Sequence, residues 1–142
     1  MNLARMLENE EVRVPHAYQD HLGYWTIGVG RLIDSRKGGG LSDDEIDYLL
    51  NNDIARKAAE VVKALPWVTG LSEIRQAVII GMAFQLGTAG LLGFKNTLAL
   101  VQSGDYKGAA QNMMLSRWAE QTPARARRMA AQMETGEWIL EA

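Results

Sequence analysis

The apolar positions change period twice in the first third of the chain. Leu3, Met6 and Leu7, with Glu11 in the same register, fall on helical spacing, so residues 3–11 predict a short helix that ends ahead of Pro15. From Tyr24 the pattern alternates. Trp25, Ile27 and Val29 share one face, and Tyr24, Thr26, Gly28 and Gly30 share the other, which predicts a strand with its large apolar side chains toward the core. The glycine-rich run "DSRKGGG" at 34–40 reads as a loop. Behind it, Ser42-x-x-Glu45 is a capping box flanked by a Leu41–Ile46 staple. Helical spacing then resumes through Ile46, Leu49, Leu50, Ile54, Ala58, Val61 and Leu65 until Pro66 stops it, roughly six turns later.

Shorter helices follow. Ser72 caps one that should run through Leu86, with Gly87 and Gly90 as punctuation. "GFKNTLALVQ" restarts a helix that Gly104 stops, and another covers about Tyr106 to Met114. Pro123 opens a last one that Gly136 closes. No internal repeat or low-complexity tract interrupts the series. The architecture this predicts is α+β, with a small sheet-bearing lobe, a long connecting helix and a helical lobe holding most of the core. A cleft between lobes is then the default ligand site.

Composition narrows the chemistry. At 142 residues and 47% hydrophobic content, the chain can bury a substantial core as one folding unit. The net charge of −2 conceals an uneven distribution: residues 1–60 carry 7 basic and 11 acidic side chains, and residues 61–142 carry 8 and 6. With no cysteine, disulfides, thiol nucleophiles and zinc-thiolate sites are excluded, which suits a reducing compartment. The apolar run Ala77–Phe84 is too short to span a bilayer, and the first residues have neither an apolar core of signal-peptide length nor a small-residue cleavage site. No export route or stable membrane insertion is therefore expected.

Glu11, Asp20 and Thr26 are the candidate chemical groups. Glu11 closes the first helix, where the dipole disfavours negative charge and so suits a general acid. Asp20 opens the tight turn "DHLG", where exposure to water suits a base. Thr26 faces away from Trp25 and Ile27, and its hydroxyl can hold a water beside the bare backbone of Gly28 and Gly30. Two carboxylates in different environments flanking a groove are what glycoside hydrolysis requires. Spacing alone also fits ordinary carboxylates at a helix end and a turn.

The motifs "AYQD" and "GYWTIGVG", with a glutamate nine positions before the aspartate, resemble the signature of the phage-type lysozymes, the muramidase endolysins. The resemblance continues in the same order through "AFQLG" at 83–87, "GFKNTL" at 93–98 and "SRWAEQTPARARR" at 116–128, covering nearly the whole chain. It implies a single lysozyme-like domain over 1–142. Its lobes are a β-containing one at about 12–41 and a helical one at about 66–142 together with 1–11, joined by the helix at 42–65. The implied activity is cleavage of the β-1,4 bond between N-acetylmuramic acid and N-acetylglucosamine in peptidoglycan, without cofactor or metal. Glu11 falls on the proton donor, Asp20 on the base and Thr26 on the water-positioning hydroxyl. The implied stereochemistry is inversion, which needs the carboxyls roughly 6.5–9.5 Å apart. Saccharide-contacting positions fall on Leu32, Phe84, Gln85, Thr97, Asn112 and Arg117, and Arg125 matches an arginine that reaches back to the acid. A monomer is expected, active on the wall once a holin opens the membrane of the host cell in whose cytoplasm it accumulates.

The chain also departs from the family pattern. Val12 stands where glycine usually follows the acid, and Glu10 precedes it; Arg13 would select Glu10 only with one residue inserted before Asp20, so the ungapped Glu11 is favoured. Arg31 stands where many relatives carry histidine, so their histidine–aspartate pair is not expected. His16 and His21 lack a third ligand in register and read as solvated turn residues. "GVG" and "GGG" form no phosphate fingerprint. Arg125, Arg127 and Arg128 make a basic helix face, but without interleaved aromatics and in an acidic chain they suit anionic wall or solvent rather than nucleic acid. Trp67, Trp118, Trp138, Met82, Met113, Met114 and Met129 read as core. Two competing functions stand beside the hydrolytic muramidase: a lytic transglycosylase, which would not need Asp20 and Thr26, and a virion-associated or non-catalytic wall-binding module.

Overall fold

A computed structural model of the chain describes residues 3–11, 13–33 and 39–140. It divides into two compact units, Met1–Leu50 and Asn51–Ala142.

The first unit begins with α1 (Leu3–Glu11), followed by an antiparallel sheet of β1 (Arg13–Gln19), β2 (Trp25–Val29) and β3 (Arg31–Leu32) in the order β1-β2-β3. α1 belongs to this unit and touches β2, whereas the sequence grouped residues 1–11 with the helical lobe. β1 pairs with β2 through Arg13↔Val29 and Val14↔Gly28, then through Tyr18↔Thr26 and Gln19↔Trp25, with the register shifting between Val14 and Tyr18. Pro15 lies in that gap and has no N–H to give the ladder. β3 continues the sheet through Thr26↔Leu32 and Ile27↔Arg31.

The inner face of β2 is the opposite of the one expected. Trp25 is 54% exposed, whereas Thr26 is only 3% exposed. Thr26 sits on the central strand with Tyr18 and Leu32 directly opposite, so the three side chains share one face and cover one another. Trp25 instead stands opposite the exposed Gln19. Alternation identifies which residues share a face but not which face is inside.

α2 (Asp43–Ala64) spans the boundary between the units. Its start is half of the expected capping box: Ser42 N–H donates to Glu45 Oε1 at 3.0 Å, and the Ser42 hydroxyl lies 2.6 Å from Asp44 Oδ1 and 2.8 Å from Glu45 Oε1. Three acidic residues in the first turn complement the helix dipole. Most of the loop expected at 34–40 lies outside the described residues, as does Val12. Of the expected α2 stripe, Val61 is fully buried, but Ile46, Leu49, Leu50 and Ile54 keep 42–48% exposure. The buried cluster begins only at Val61.

The second unit is helical. A 3-10 turn (Pro66–Gly70) leads to α3 (Glu73–Leu92), then α4 (Lys95–Ser103), α5 (Tyr106–Met113), α6 (Arg117–Gln121) and α7 (Pro123–Thr135). The starts and stops follow local chemistry. Ser72 accepts from Arg75 N–H, Asp105 from Gly108 N–H and Ser116 from Ala119 N–H, while Gly104 and Gly136 close α4 and α7 in the left-handed region at φ 87° and 71°. α3 is broken at Gly87 (φ 79°, ψ 159°), one residue past the predicted end of its helix. Among the described residues, α3 is the one helix long and apolar enough to cross a membrane, and its Val78, Ile79, Met82, Ala83 and Leu91 are buried in the core.

That core also takes Leu98, Val101, Met113, Trp118 and Met133, with Trp67, Met114 and Met129 packed against it. Trp138, expected inside, is 51% exposed because it follows the end of α7. Arg75 ties three helices: its Nε donates to Met133 O at 2.7 Å, Nη2 donates to Glu134 O at 2.9 Å, and the guanidinium carbon lies 3.7 Å from the centre of the Tyr106 ring.

Candidate active site

In the first unit, the candidate catalytic side chains are organised around two backbone features. Glu11 is the last residue of α1, and its side chain lies over Gly30, which joins β2 to β3. A Cβ built on Gly30 would come within 2.7 Å of Glu11 Oε2, and Gly30 has φ 64°, a conformation that other residues adopt at a cost. The glycine keeps open the space that the carboxyl fills. Arg13, weighed in sequence as a marker for Glu10, instead lies 3.8 Å from Glu8.

The second feature is the peptide group at Tyr24. Asp20 Oδ1 accepts from the N–H groups of Leu22 and Tyr24 at 2.9 and 2.8 Å. Asp20 N–H in turn donates to Tyr24 O at 2.8 Å, and Gly23 N–H donates to Asp20 O at 3.0 Å, closing the turn. Thr26 Oγ1 donates to the same Tyr24 carbonyl at 3.1 Å. One residue's main chain therefore holds the candidate base and the candidate water holder. Because the Thr26 proton is committed to Tyr24, its lone pairs are left to accept from a water. The sequence signals the turn through Asp20 and Gly23, but a main-chain bridge carries no residue-type signature.

The expected saccharide positions are distributed. Leu32 lies on β3 opposite Thr26. In the second unit, Thr97, Asn112 and Arg117 line one cleft of about 780 Å³, together with Lys95, Ser116 and Trp118. Thr97, almost wholly buried, donates its hydroxyl to Asn112 Oδ1 at 2.7 Å, which leaves the Asn112 amide N–H groups as its remaining donors. Trp118 Nε1 donates to Gln85 Oε1 at 2.9 Å, and its ring meets Phe94 edge-on at 6.0 Å between centres. That hydrogen bond fixes the Gln85 amide oxygen against the indole. Phe84 is 43% exposed and borders a separate pocket of about 370 Å³ with Asp53, Arg56, Lys57 and Glu60. Arg125 is exposed in the first turn of α7. Lys95 and Ser116 were not singled out in sequence, although both lie inside the motifs that carried the resemblance.

Elsewhere in this unit Glu60 accepts from the Thr88 hydroxyl at 2.6 Å and from Lys57 at 3.0 Å, and these contacts, the threonine foremost, hold its carboxyl below the ordinary range. Among the described residues, no group of three or more His, Asp or Glu side chains is arranged to hold a metal ion.

A three-stranded sheet next to a glutamate-ending helix, followed by helices that carry an aromatic-lined polar cleft, defines a lysozyme-type domain, and comparison with known proteins agrees. The chain belongs to the phage lysozyme family, whose model matches residues 8–132. It is 31% identical to Probable T4-type lysozyme 1 of Dictyostelium discoideum, with 92% of each chain covered, and 27% identical to Probable T4-type lysozyme 2 of the same organism, with 95% of each covered. It is also 27% identical to the pre-baseplate central spike protein Gp5 of Enterobacteria phage T4, matching 96% of this chain to 28% of that protein. The fold is T4 lysozyme-like, and the protein is a glycoside hydrolase of the muramidase type that acts on peptidoglycan.

Proposed function

We propose that this chain is an endolysin that hydrolyses the β-1,4 bond from N-acetylmuramic acid to N-acetylglucosamine with inversion at the anomeric carbon. The observation that carries this reading is the double use of the Tyr24 main chain, which orients the Asp20 carboxylate and the Thr26 hydroxyl together. In the proposed reaction, Glu11 gives its proton to the glycosidic oxygen as the bond from that oxygen to the muramic acid C1 breaks. A water donating one hydrogen bond to Asp20 and one to Thr26 attacks C1 from the opposite face, and Asp20 takes its proton. Asp20 Oδ1 is occupied by two main-chain N–H groups, so Oδ2 is the oxygen oriented to take that proton. The family resemblance implies glycan contacts at Leu32, Phe84, Gln85, Thr97, Asn112 and Arg117, and a supporting role toward the acid for Arg125. The reaction uses no cofactor or metal.

The protein works as a monomer without nucleic acid. It accumulates in the host cytoplasm and reaches the wall after a holin opens the membrane. The likeness to the Gp5 spike protein favours a second reading, in which the domain is carried on a virion.

Digestion of purified peptidoglycan tests the chemistry. The first reducing sugar should be the α-anomer; a β-anomer would mean retention, and a 1,6-anhydro product would mean transglycosylation. Expression without a holin should leave cells intact until their membranes are permeabilised. Prompt lysis without permeabilisation would count against the endolysin setting, and recovery of the protein in purified particles would favour the virion reading.

A further inference from the structure

Arg31 makes a contact that the proposed reaction does not use. Its Nη2 donates to Gly40 O and to Glu45 Oε1, both at 2.7 Å. Gly40 is held from its other side as well, because its N–H donates to Leu32 O at 3.2 Å. Glu45 accepts in addition from Ser42 N–H. The guanidinium thus joins three points: the edge strand β3, the end of the loop that follows it, and the first turn of α2.

The strand being held is weak by itself. β3 has two residues, so few ladder bonds fix its position. Yet its immediate neighbours are the ones the site depends on. Gly30, one residue before Arg31, carries the Glu11 side chain, and Leu32, one residue after, stands opposite Thr26. A shift of β3 along its own axis would move the floor under Glu11 and the neighbour of Thr26 together. Charge-assisted hydrogen bonds from a planar guanidinium suit such a latch, since they fix direction as well as distance. Glu45 is ready to receive them, because the Ser42 N–H and hydroxyl, and then Arg31 itself, hold its carboxyl below the ordinary range and keep it charged.

We propose that Arg31 is a positioning residue for glycan cleavage, latching β3 to Gly40 and Glu45 so that Gly30 and Leu32 hold their places beside Glu11 and Thr26. This rests on the muramidase reading above. The latch bridges residues 14 apart in sequence, so no local turn substitutes for it.

The test compares the parent with Arg31→Ala, Arg31→Lys, Glu45→Gln and the Arg31→Ala/Glu45→Gln pair on purified peptidoglycan, well below each variant's unfolding temperature. Glu45→Gln keeps an acceptor for Ser42 N–H, so it removes the charge of the latch and spares the helix cap. Arg31→Ala should lower kcat about tenfold, as expected for displacement of a catalytic group by a fraction of an ångström, with a smaller rise in KM. Lysine, which keeps the charge but not the planar fork, should recover part of that loss, and the double variant should be no worse than Arg31→Ala alone. Folded Arg31→Ala with kcat within twofold of the parent would overturn the proposal, as would additive losses in the double variant or no recovery with lysine. A parent that releases no reducing ends would instead defeat the muramidase reading, and the latch's role with it.

Discussion

Glu11 and Gly30 fit together because one lacks what the other occupies: the Glu11 carboxyl fills the place where a side chain at position 30 would begin. Gly30→Ala therefore puts a methyl 2.7 Å from Oε2 in a backbone conformation with φ 64°. The carboxyl has to move, and misplacing an acid by about 1 Å can cost about 100-fold in rate. The substitution should also destabilise the fold by about 1–2 kcal/mol through left-handed strain. Peptidoglycan hydrolysis and thermal unfolding measured on the same preparation check both effects; full activity in a folded Gly30→Ala would mean that Glu11 is not held where it acts.

The same relationship separates Glu11 from its neighbour. Adjacent helical residues point about 100° apart, so Glu10 cannot share the place over Gly30. Glu11→Gln keeps the shape but has no proton to transfer, and activity should fall by at least about 100-fold. Glu10→Gln should stay within a few-fold of the parent. Glu11 ends α1, where a negative charge opposes the helix dipole, so its loss should leave stability unchanged or slightly raised. If Glu10→Gln is the inactive variant, the acid lies one residue earlier.

Element boundaries were legible wherever a cap spelled them out: Ser42, Ser72, Gly104, Pro123 and Gly136 each begin or end a helix at or next to the position the sequence indicated. α6 was not, because five residues are too few to show a period. The sequence names the candidate site as side chains, Glu11 at a helix end, Asp20 in a turn and Thr26 on a strand, and the structure places each in that local element. Its organisation was not legible. The Tyr24 bridge is main chain, the Glu11–Gly30 fit is an empty volume, and the Arg31 latch joins residues whose pairing depends on how the intervening loop folds. Arg75 reaches carbonyls 58 and 59 residues away, where no sequence period links donor to acceptor.

The Glu60–Thr88 hydrogen bond joins α2 to the segment of α3 just past its break, and it gives the fold an acid-sensitive element. Glu60 has its carboxyl lowered from the usual 4.5, chiefly by the Thr88 hydroxyl and then by Lys57. A carboxyl lowered in the folded state contributes stability fully above its unfolded value, and that contribution disappears as pH falls through the folded one. The window therefore lies below pH 4.5. Carboxyl NMR should find Glu60 titrating below that value in the parent and moving up toward it in Thr88→Val. Thermal unfolding of Glu60→Gln should fall less steeply over the same range. An unshifted Glu60, or one indifferent to Thr88→Val, would show that the hydrogen bond does not persist in solution.

Arg75 and Gly136 make the most direct test of how the helical unit is held, because each limits the other. Arg75 donates to the carbonyls of Met133 and Glu134 in the last turn of α7, where a positive charge also complements the helix dipole. Gly136 closes that turn at φ 71°, and a Cβ there would stand 3.0 Å from the guanidinium carbon. Arg75→Ala should cost about 1–3 kcal/mol for the lost charged hydrogen bonds, and Gly136→Ala should cost about 1 kcal/mol in backbone strain plus the effect of displacing the guanidinium. In the Arg75→Ala background the added methyl meets no guanidinium, so only the strain remains. The double variant should therefore lose less than the sum of the two single losses, by about 0.5 kcal/mol or more. Denaturant unfolding of the four proteins closes the cycle. Strict additivity would mean that the guanidinium moves aside freely and does not hold the end of α7.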